Sequence, residues 1–288
     1  MTPGVTIVVA TRNRRDVLLD TLQHLVRLES PVIVVDNDSQ DGTSGSVAAA
    51  HPSVRVVAMA QNIGGAARNV GAQIATTPYV AFADDDSWWA PGSLRGAAAI
   101  LQRHGRLAIV AARILVGKSA KLDPLSQEMA HSPLGPAFAP GTRRVLGFSA
   151  CGAVVRRDAF LGTGGFLHQF VIGGEEEVVA LDLRSAGWEL AYVPDVVAHH
   201  HPQARNAAGH ARRRQRLVCN MLLTAWLRYP TGLAVATTRA AVVRAGRDRA
   251  AMRGVRDALR GAAWAAHERK PVPSSVRDEL ELLRATRS

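Results

Sequence analysis

Short apolar runs alternate with helical periodicities over the first 115 residues. Residues 5–10 form an apolar run broken only by Thr6. Polar residues follow from Thr11 to Arg15, and then Val17, Leu18, Leu22, Leu25 and Val26 recur at the spacing of a helix with one buried face. Residues 32–35 predict a second strand that ends in Asp36, Asn37 and Asp38, with Asp41, Gly42 and Thr43 as a turn and helix start. A third strand is predicted at 54–58 and a helix of small residues at 64–75. A fourth strand at 79–83 runs into Asp84, Asp85 and Asp86. Segments 92–104 and 108–114 continue the alternation. Strands that are apolar on both faces and separated by helices predict an α/β fold: a Rossmann-like, mostly parallel sheet flanked by helices.

The second half reads differently. Pro124, Pro133, Gly135, Pro136, Pro140 and Gly141 interrupt every period between 117 and 147, which predicts an irregular excursion; long loops in compact domains tend to carry function. A strand at 152–155 follows, then a glycine-rich turn at 162–166. The acidic Glu175, Glu176 and Glu177 open a helix, where acids favour the dipole, whose apolar spacing covers 178–186; a strand at 189–193 and His199, His200 and His201 follow. From 206 onward the pattern is helical and arginine-rich, with breaks at Pro230, Pro271 and Pro273.

A length of 288 residues is enough for one large domain or two small ones. A chain 47% hydrophobic and 20% charged is not disordered. Cys151 and Cys219 are too few for a disulfide scaffold or a cysteine-built zinc site, and point to a reducing compartment. No basic segment precedes the first strand, and no apolar run approaches the roughly 18 residues of a membrane span, so a cytoplasmic location without a signal is expected. The net charge of +11 is localised: residues 1–204 hold 17 Lys+Arg against 18 Asp+Glu, whereas residues 205–288 hold 18 against 6. This predicts a catalytic unit at 1–204 and a basic helical extension at 205–288.

Ligands of an open parallel sheet sit beyond the carboxyl ends of its strands. The polar residues found there are Thr11 and Arg12, Asp36 and Asn37, Asn62, and Asp84 to Asp86, all expected at one edge. Three consecutive carboxylates repel one another unless a cation or solvent neutralises them. They suit a hard cation such as Mg²⁺ or Mn²⁺ bridging to a diphosphate; a solvated turn is the plain structural alternative.

These elements, taken in order, resemble the family-2 glycosyltransferases. The resemblance is carried by residues 5–13 and 34–43, by Asn62, Gly64, Gly65, Arg68 and Gly71, and by Asp84 to Asp86. Gly164, Gly165 and Phe166, then Gly174, Glu175 and Glu176, then Gly187, Trp188, Tyr192, Pro194 and His199 complete it, over about residues 4–201. The resemblance implies a GT-A fold with a nucleotide-sugar half at 1–115 and an acceptor half at 116–204. It implies transfer of a sugar from a UDP-, dTDP- or GDP-linked donor to an acceptor hydroxyl, with inversion. Asp36 would read the base edge in a pocket lined by Thr11 and Arg12, with Asn62 and Arg68 on the same nucleotide side. Asp84, with Asp85 beside it, would hold ribose or donor sugar, and Asp86 and His199 would bind Mn²⁺ or Mg²⁺, His200 and His201 being the neighbouring registers. The family has Glu-Asp where this chain has Glu175 and Glu176. Its second acid is the general base, and the departure leaves the base between these two. Trp88, Trp89, Gly164 and Gly165 fall on the acceptor side, although large apolar residues also serve packing.

The implied acceptor is a saccharide, a lipid-linked compound or a small molecule. A nucleotidyltransferase would carry a glycine-rich basic loop after the first strand, and residues 11–15 contain no glycine. Nucleic-acid binding by the tail is disfavoured because aromatics are not interleaved with its arginines and an acidic cleft repels a polyanion. A non-catalytic nucleotide-sugar binder shares all these motifs. Within the tail, 206–228 has the apolar content of a packed helix. At 235–265 dense arginines suit packing, an oligomer interface or an anionic membrane surface.

Overall fold

The computed structural model of the chain describes residues 4–170, 173–203 and 206–286. In chain order its first elements are β1 (Val5–Thr11), α1 (Arg15–Leu25), β2 (Val32–Asp36), α2 (Thr43–Ala50), β3 (Arg55–Ala58), α3 (Ala67–Ile74) and β4 (Tyr79–Asp84). There follow β5 (Ser87–Trp89), α4 (Ser93–Arg103), β6 (Leu107–Val116), β7 (Lys121–Leu122), α5 (Pro124–Ala130) and β8 (Arg143–Arg144). Then come β9 (Ala153–Arg156), α6 (Arg157–Gly162), α7 (Glu175–Ser185) and β10 (Glu189–His200). The strands form one sheet in the order β3-β2-β1-β4-β9-β6-β10-β5, with β7 on β6 and β8 on β10. The first four are parallel, as their apolar runs predict. β9 then runs antiparallel between β4 and β6, β6 and β10 are parallel, and β5 returns antiparallel on β10. The sheet is thus a mixed α/β sheet whose parallel half carries the first three strand-end motifs.

Each face of the sheet has its own core. On one face Ile7, Val9 and Val34 pack with Leu18 and Leu22 of α1 and Leu101 of α4; on the other Val8, Val35 and Phe82 meet Phe160 and Phe166. α3 consists of small residues because it lies directly on β1: a methyl group at Gly71 would overlap Val8 Cγ1.

Three elements depart from the periodic reading. Pro124 opens α5 instead of breaking structure, since Asp123 caps the helix through Leu125 N at 2.8 Å and proline suits the first helical position. α7 begins at Glu175, three residues before its apolar spacing becomes visible. β10 continues past Pro194 to His200, because a register shift between Val193 and Val197 absorbs the proline.

The tail forms α8 (Ala207–Arg228), α9 (Thr231–Ala245), α10 (Arg249–Arg260), α11 (Ala262–His267) and α12 (Ser274–Ala285). It packs around α7: Leu222, Leu223 and Leu227 close on Phe170 and Val178, and Tyr229, Val276 and Leu280 on Leu134, Leu146 and Leu181. Arg228 makes a two-pronged ion pair with Asp182, Nη2 to Oδ2 at 2.9 Å, and Arg184 holds Glu279 at 2.6 Å. Among the described residues no helix is long and apolar enough to cross a membrane.

Candidate active site

Strand register brings the first motifs together. Thr11 pairs with Asp36, and Ala10 with Asp84, so the ends of β2, β1 and β4 line one edge. Asp36 is buried; its carboxylate accepts Ser39 N at 3.0 Å and the Ser44 hydroxyl, and with Ala58 and Met59 it lines a shallow pocket. Asn37 ties two loops together, accepting Ile63 N at 2.8 Å and donating to Gly64 O at 3.0 Å. Asn62 is exposed and accepts Gly64 N at 3.0 Å; Arg12 is exposed beside Asp38.

The three aspartates have three different environments. Asp85 turns inward, accepts the Thr11 hydroxyl at 3.0 Å and pairs with Arg14 at 2.9 Å. Its backbone carbonyl takes the Thr21 hydroxyl. Burial, reinforced by Asp84 and Asp86, pushes its pKa up to about 7 against the pull of Arg14. Thr11 and Asp85 thus satisfy each other at the end of β1. Asp84 and Asp86 stay on the site side with His200, and their ligating atoms all lie within 4.8 Å of one another. Two carboxylates and an imidazole suit Mn²⁺ or Mg²⁺. His200 Nε2 is 3.3 Å from Asp86, and Arg14 reaches the same carboxylate at 2.7 Å. Burial disfavours charge on both groups of this pair, yet His200 and Arg14 hold Asp86 below its ordinary pKa, and Asp86 holds His200 above its own.

Of the three histidines, His200 is the one whose ring lies with Asp84 and Asp86. Successive residues of a strand point to opposite faces. His200 opposes Ser87 across the β10–β5 pair, while His199 opposes Trp88 and stacks on it at 5.7 Å. His201 packs on Trp88 at 4.6 Å and His24 stacks on it at 4.2 Å. Trp88 thus sits in a histidine stack on the other face, and Trp89, 1% exposed, is core.

Arg68 joins the two halves of the site. It is buried, pairs with Asp84, lies over the Phe166 ring at 5.8 Å and faces Glu175 and Glu176. Burial first, then the charge of Glu176, pushes Glu175 up to about 7 against Arg68. Glu175 fits because the facing residue is glycine: a Cβ on Gly65 would stand 2.8 Å from Glu175 Oε1. Glu176 accepts Ala150 N at 3.3 Å, and burial raises its pKa too. Gly164 and Gly165 close α6 through Leu161 O and Phe160 O, and a Cβ on Gly165 would fall 2.5 Å from Asn69 Oδ1. Asn69 bonds both Phe166 N and Phe166 O, so these glycines fasten the loop to α3.

Sequence reasoning missed Arg14, which sits in a basic run with no periodicity, and Asn69, whose role depends on a contact 97 residues away.

The chain matches the model of the family described as glycosyl transferase family 2 over residues 6–162. It is 29% identical over 218 residues to the N-acetylglucosaminyl-diphospho-decaprenol L-rhamnosyltransferase of Mycobacterium tuberculosis, covering 62% of this chain and 70% of that protein. The mannosyltransferase PcManGT of Pyrobaculum calidifontis, solved with GDP-Man and Mn²⁺, superposes with a TM-score of 0.59 at 19% identity, over 99% of this chain and 87% of that one. S. aureus TarS 1–349 with UDP-GlcNAc gives 0.59 at 17% identity, over 77% of this chain and only 65% of that one. With a family match over more than half its length and a GT-A sheet, the chain belongs to glycosyltransferase family 2.

Proposed function

We propose that the protein transfers a glycosyl group from a nucleoside-diphosphate sugar to an acceptor hydroxyl by single displacement, with inversion. The observation that carries this reading is the Arg68 network, which joins the metal-type cluster at Asp84 to the acidic start of α7. Asp84, Asp86 and His200 would hold Mn²⁺ or Mg²⁺, and a divalent ion there supplies neutralisation of the departing diphosphate. Asp36 and its pocket receive the base, which is uracil, thymine or guanine. Glu176, at the mouth of the buried pair, takes the proton of the acceptor hydroxyl. The oxygen bonds to the anomeric carbon as the bond to the diphosphate breaks on the opposite face. Glu175, pressed against Arg68, shapes that base. For the acceptor we propose a lipid-linked saccharide, the class in the name of the mycobacterial relative, and for the reaction the cytoplasmic face of a membrane. Residues 1–115 serve the donor, 116–204 the acceptor, and 205–288 brace the second half.

The test is a panel of UDP-, dTDP- and GDP-sugars scored by thermal shift and transfer, with and without Mn²⁺. Glu176→Gln is expected to keep donor binding and lose about 10²–10⁴-fold in rate. A loss confined to Glu175→Gln moves the base by one residue, and full activity in both variants removes the mechanism.

A further inference from the structure

The tail leaves its apolar surface uncovered. Of the ten large hydrophobic side chains exposed among the described residues, nine lie between Leu217 and Leu282, and Val243 (79%) and Leu259 (68%) are the most exposed. α9 turns Ala234, Thr237, Ala241 and Ala245 inward, so Val235, Arg239 and Val243 face solvent. α10 buries Ala250, Ala251, Gly254, Val255 and Ala258, leaving Met252, Arg253, Arg256 and Leu259 outside. No acid occurs between residues 206 and 247. The acids of this stretch, Asp248 at the start of α10 and Asp257 within it, are already engaged, Asp248 by Arg214 at 2.5 Å and Asp257 by Gln215 at 2.6 Å and Arg260 at 2.9 Å. Arg239, Arg244, Arg253 and Arg256 have no carboxylate partner among the described residues.

We propose that the solvent-facing sides of α9 and α10 dock on an anionic lipid bilayer, with Val243 and Leu259 entering the headgroup region and the arginines meeting lipid phosphates. Aliphatic residues among unpaired arginines are the composition of a helix lying in a membrane interface. A second copy of this chain fits poorly, because a two-fold contact would set the same unpaired arginines against each other. Nucleic acid fits poorly too, since it rewards aromatic stacking and not exposed valine and leucine. The surface is joined to the site. α10 lies so close on α8 that Gly254 abuts the Gln215 carbonyl, and Asn220 of α8 donates to Gly173 O at 2.5 Å, two residues before Glu175. A docked tail therefore presents the acceptor side to the bilayer. This purpose rests on the lipid-linked acceptor proposed above; the docking itself does not.

The experiment is flotation of the full chain with vesicles of phosphatidylcholine, with and without phosphatidylglycerol, at low and high salt. Binding is expected only to the anionic vesicles and only at low salt. Replacing Arg239, Arg253 and Arg256 together by Gln is expected to weaken partition on the order of a hundredfold, about fivefold for each charge. Val243→Asp with Leu259→Asp, both at exposed positions, is expected to abolish it with an unchanged thermal melt. No flotation, flotation unaffected by either variant, or self-association lost in these variants overturns the docking. Donor-induced thermal shift and transfer to a water-soluble acceptor are read on the same samples. Flotation without donor binding sinks the glycosyl-transfer reading and keeps the docking; donor binding without flotation does the reverse.

Discussion

Removing the Arg228 guanidinium tests whether the tail is structurally part of the catalytic half. Arg228 grips both oxygens of Asp182 on α7 and donates to Leu227 O and Glu268 O at 3.3 Å each. Its side chain is 7% exposed and that of Asp182 is 20% exposed. Deleting one partner of a fully buried pair costs about 3–5 kcal/mol, chiefly because the other charge is left unpaired. Asp182 retains some solvent, so Arg228→Ala is expected at the lower end, about 3 kcal/mol. At about 2–4 °C per kcal/mol for a chain of this class, the melting temperature falls by roughly 6–12 °C. Scanning calorimetry reads this directly. Arg228→Met combined with Asp182→Leu removes both charges and keeps bulk, so it should recover most of the loss. A single variant that melts with the wild type refutes the clamp. A double variant as unstable as the single shows that lost packing, and not an orphaned charge, is the cause.

Asp86→Ala is expected to abolish Mn²⁺-dependent transfer and the Mn²⁺-induced thermal shift while leaving the far-ultraviolet circular dichroism unchanged, because Asp86 sits at the sheet edge; transfer insensitive to EDTA in that variant ends the metal assignment. A carboxyl must be ionised to accept a proton, and burial raises both acids of the pair, so the acid limb of the rate profile is expected above the ordinary carboxylate range; a limb that stays in the ordinary range refutes the buried pair. The same shift acts on stability with a definite sign: a folded pKa above the unfolded one favours the folded state below the unfolded value and is lost as pH rises through about 7. Glu175→Gln should therefore melt at a higher temperature than the wild type at pH 8, and no difference there counts against burial of the charge. Gly71→Ala forces a methyl into Val8 and should cost about 1–3 kcal/mol, partly restored by Val8→Ala; a neutral effect in chemical denaturation would mean that α3 stands off β1.

What could be read along the chain was what is set locally. The parallel half followed from apolar runs at β1, β2 and β4, since a strand covered on both faces reads as a near-continuous apolar run. The strand-end positions of Asp36 and Asp84 followed from where those runs stop. The acids at the head of α7 were legible as a helix start, since acids favour the positive end of the dipole, although the apolar spacing begins only at Val178. Tertiary structure decided everything that depends on facing direction and on distant partners. One step of strand register puts His200 with Asp86 and His199 with Trp88, and β10 reaches either only because a bulge absorbs Pro194. Asp85 turns inward because Thr11 and Arg14 wait there, 74 and 71 residues earlier, which no local period encodes. Pairing Arg228 with Asp182 likewise makes a stretch that reads as a separate basic tail into the support of α7. Local patterns are written in the spacing of neighbours; which buried charge meets which is settled only when the sheet and helices close around them.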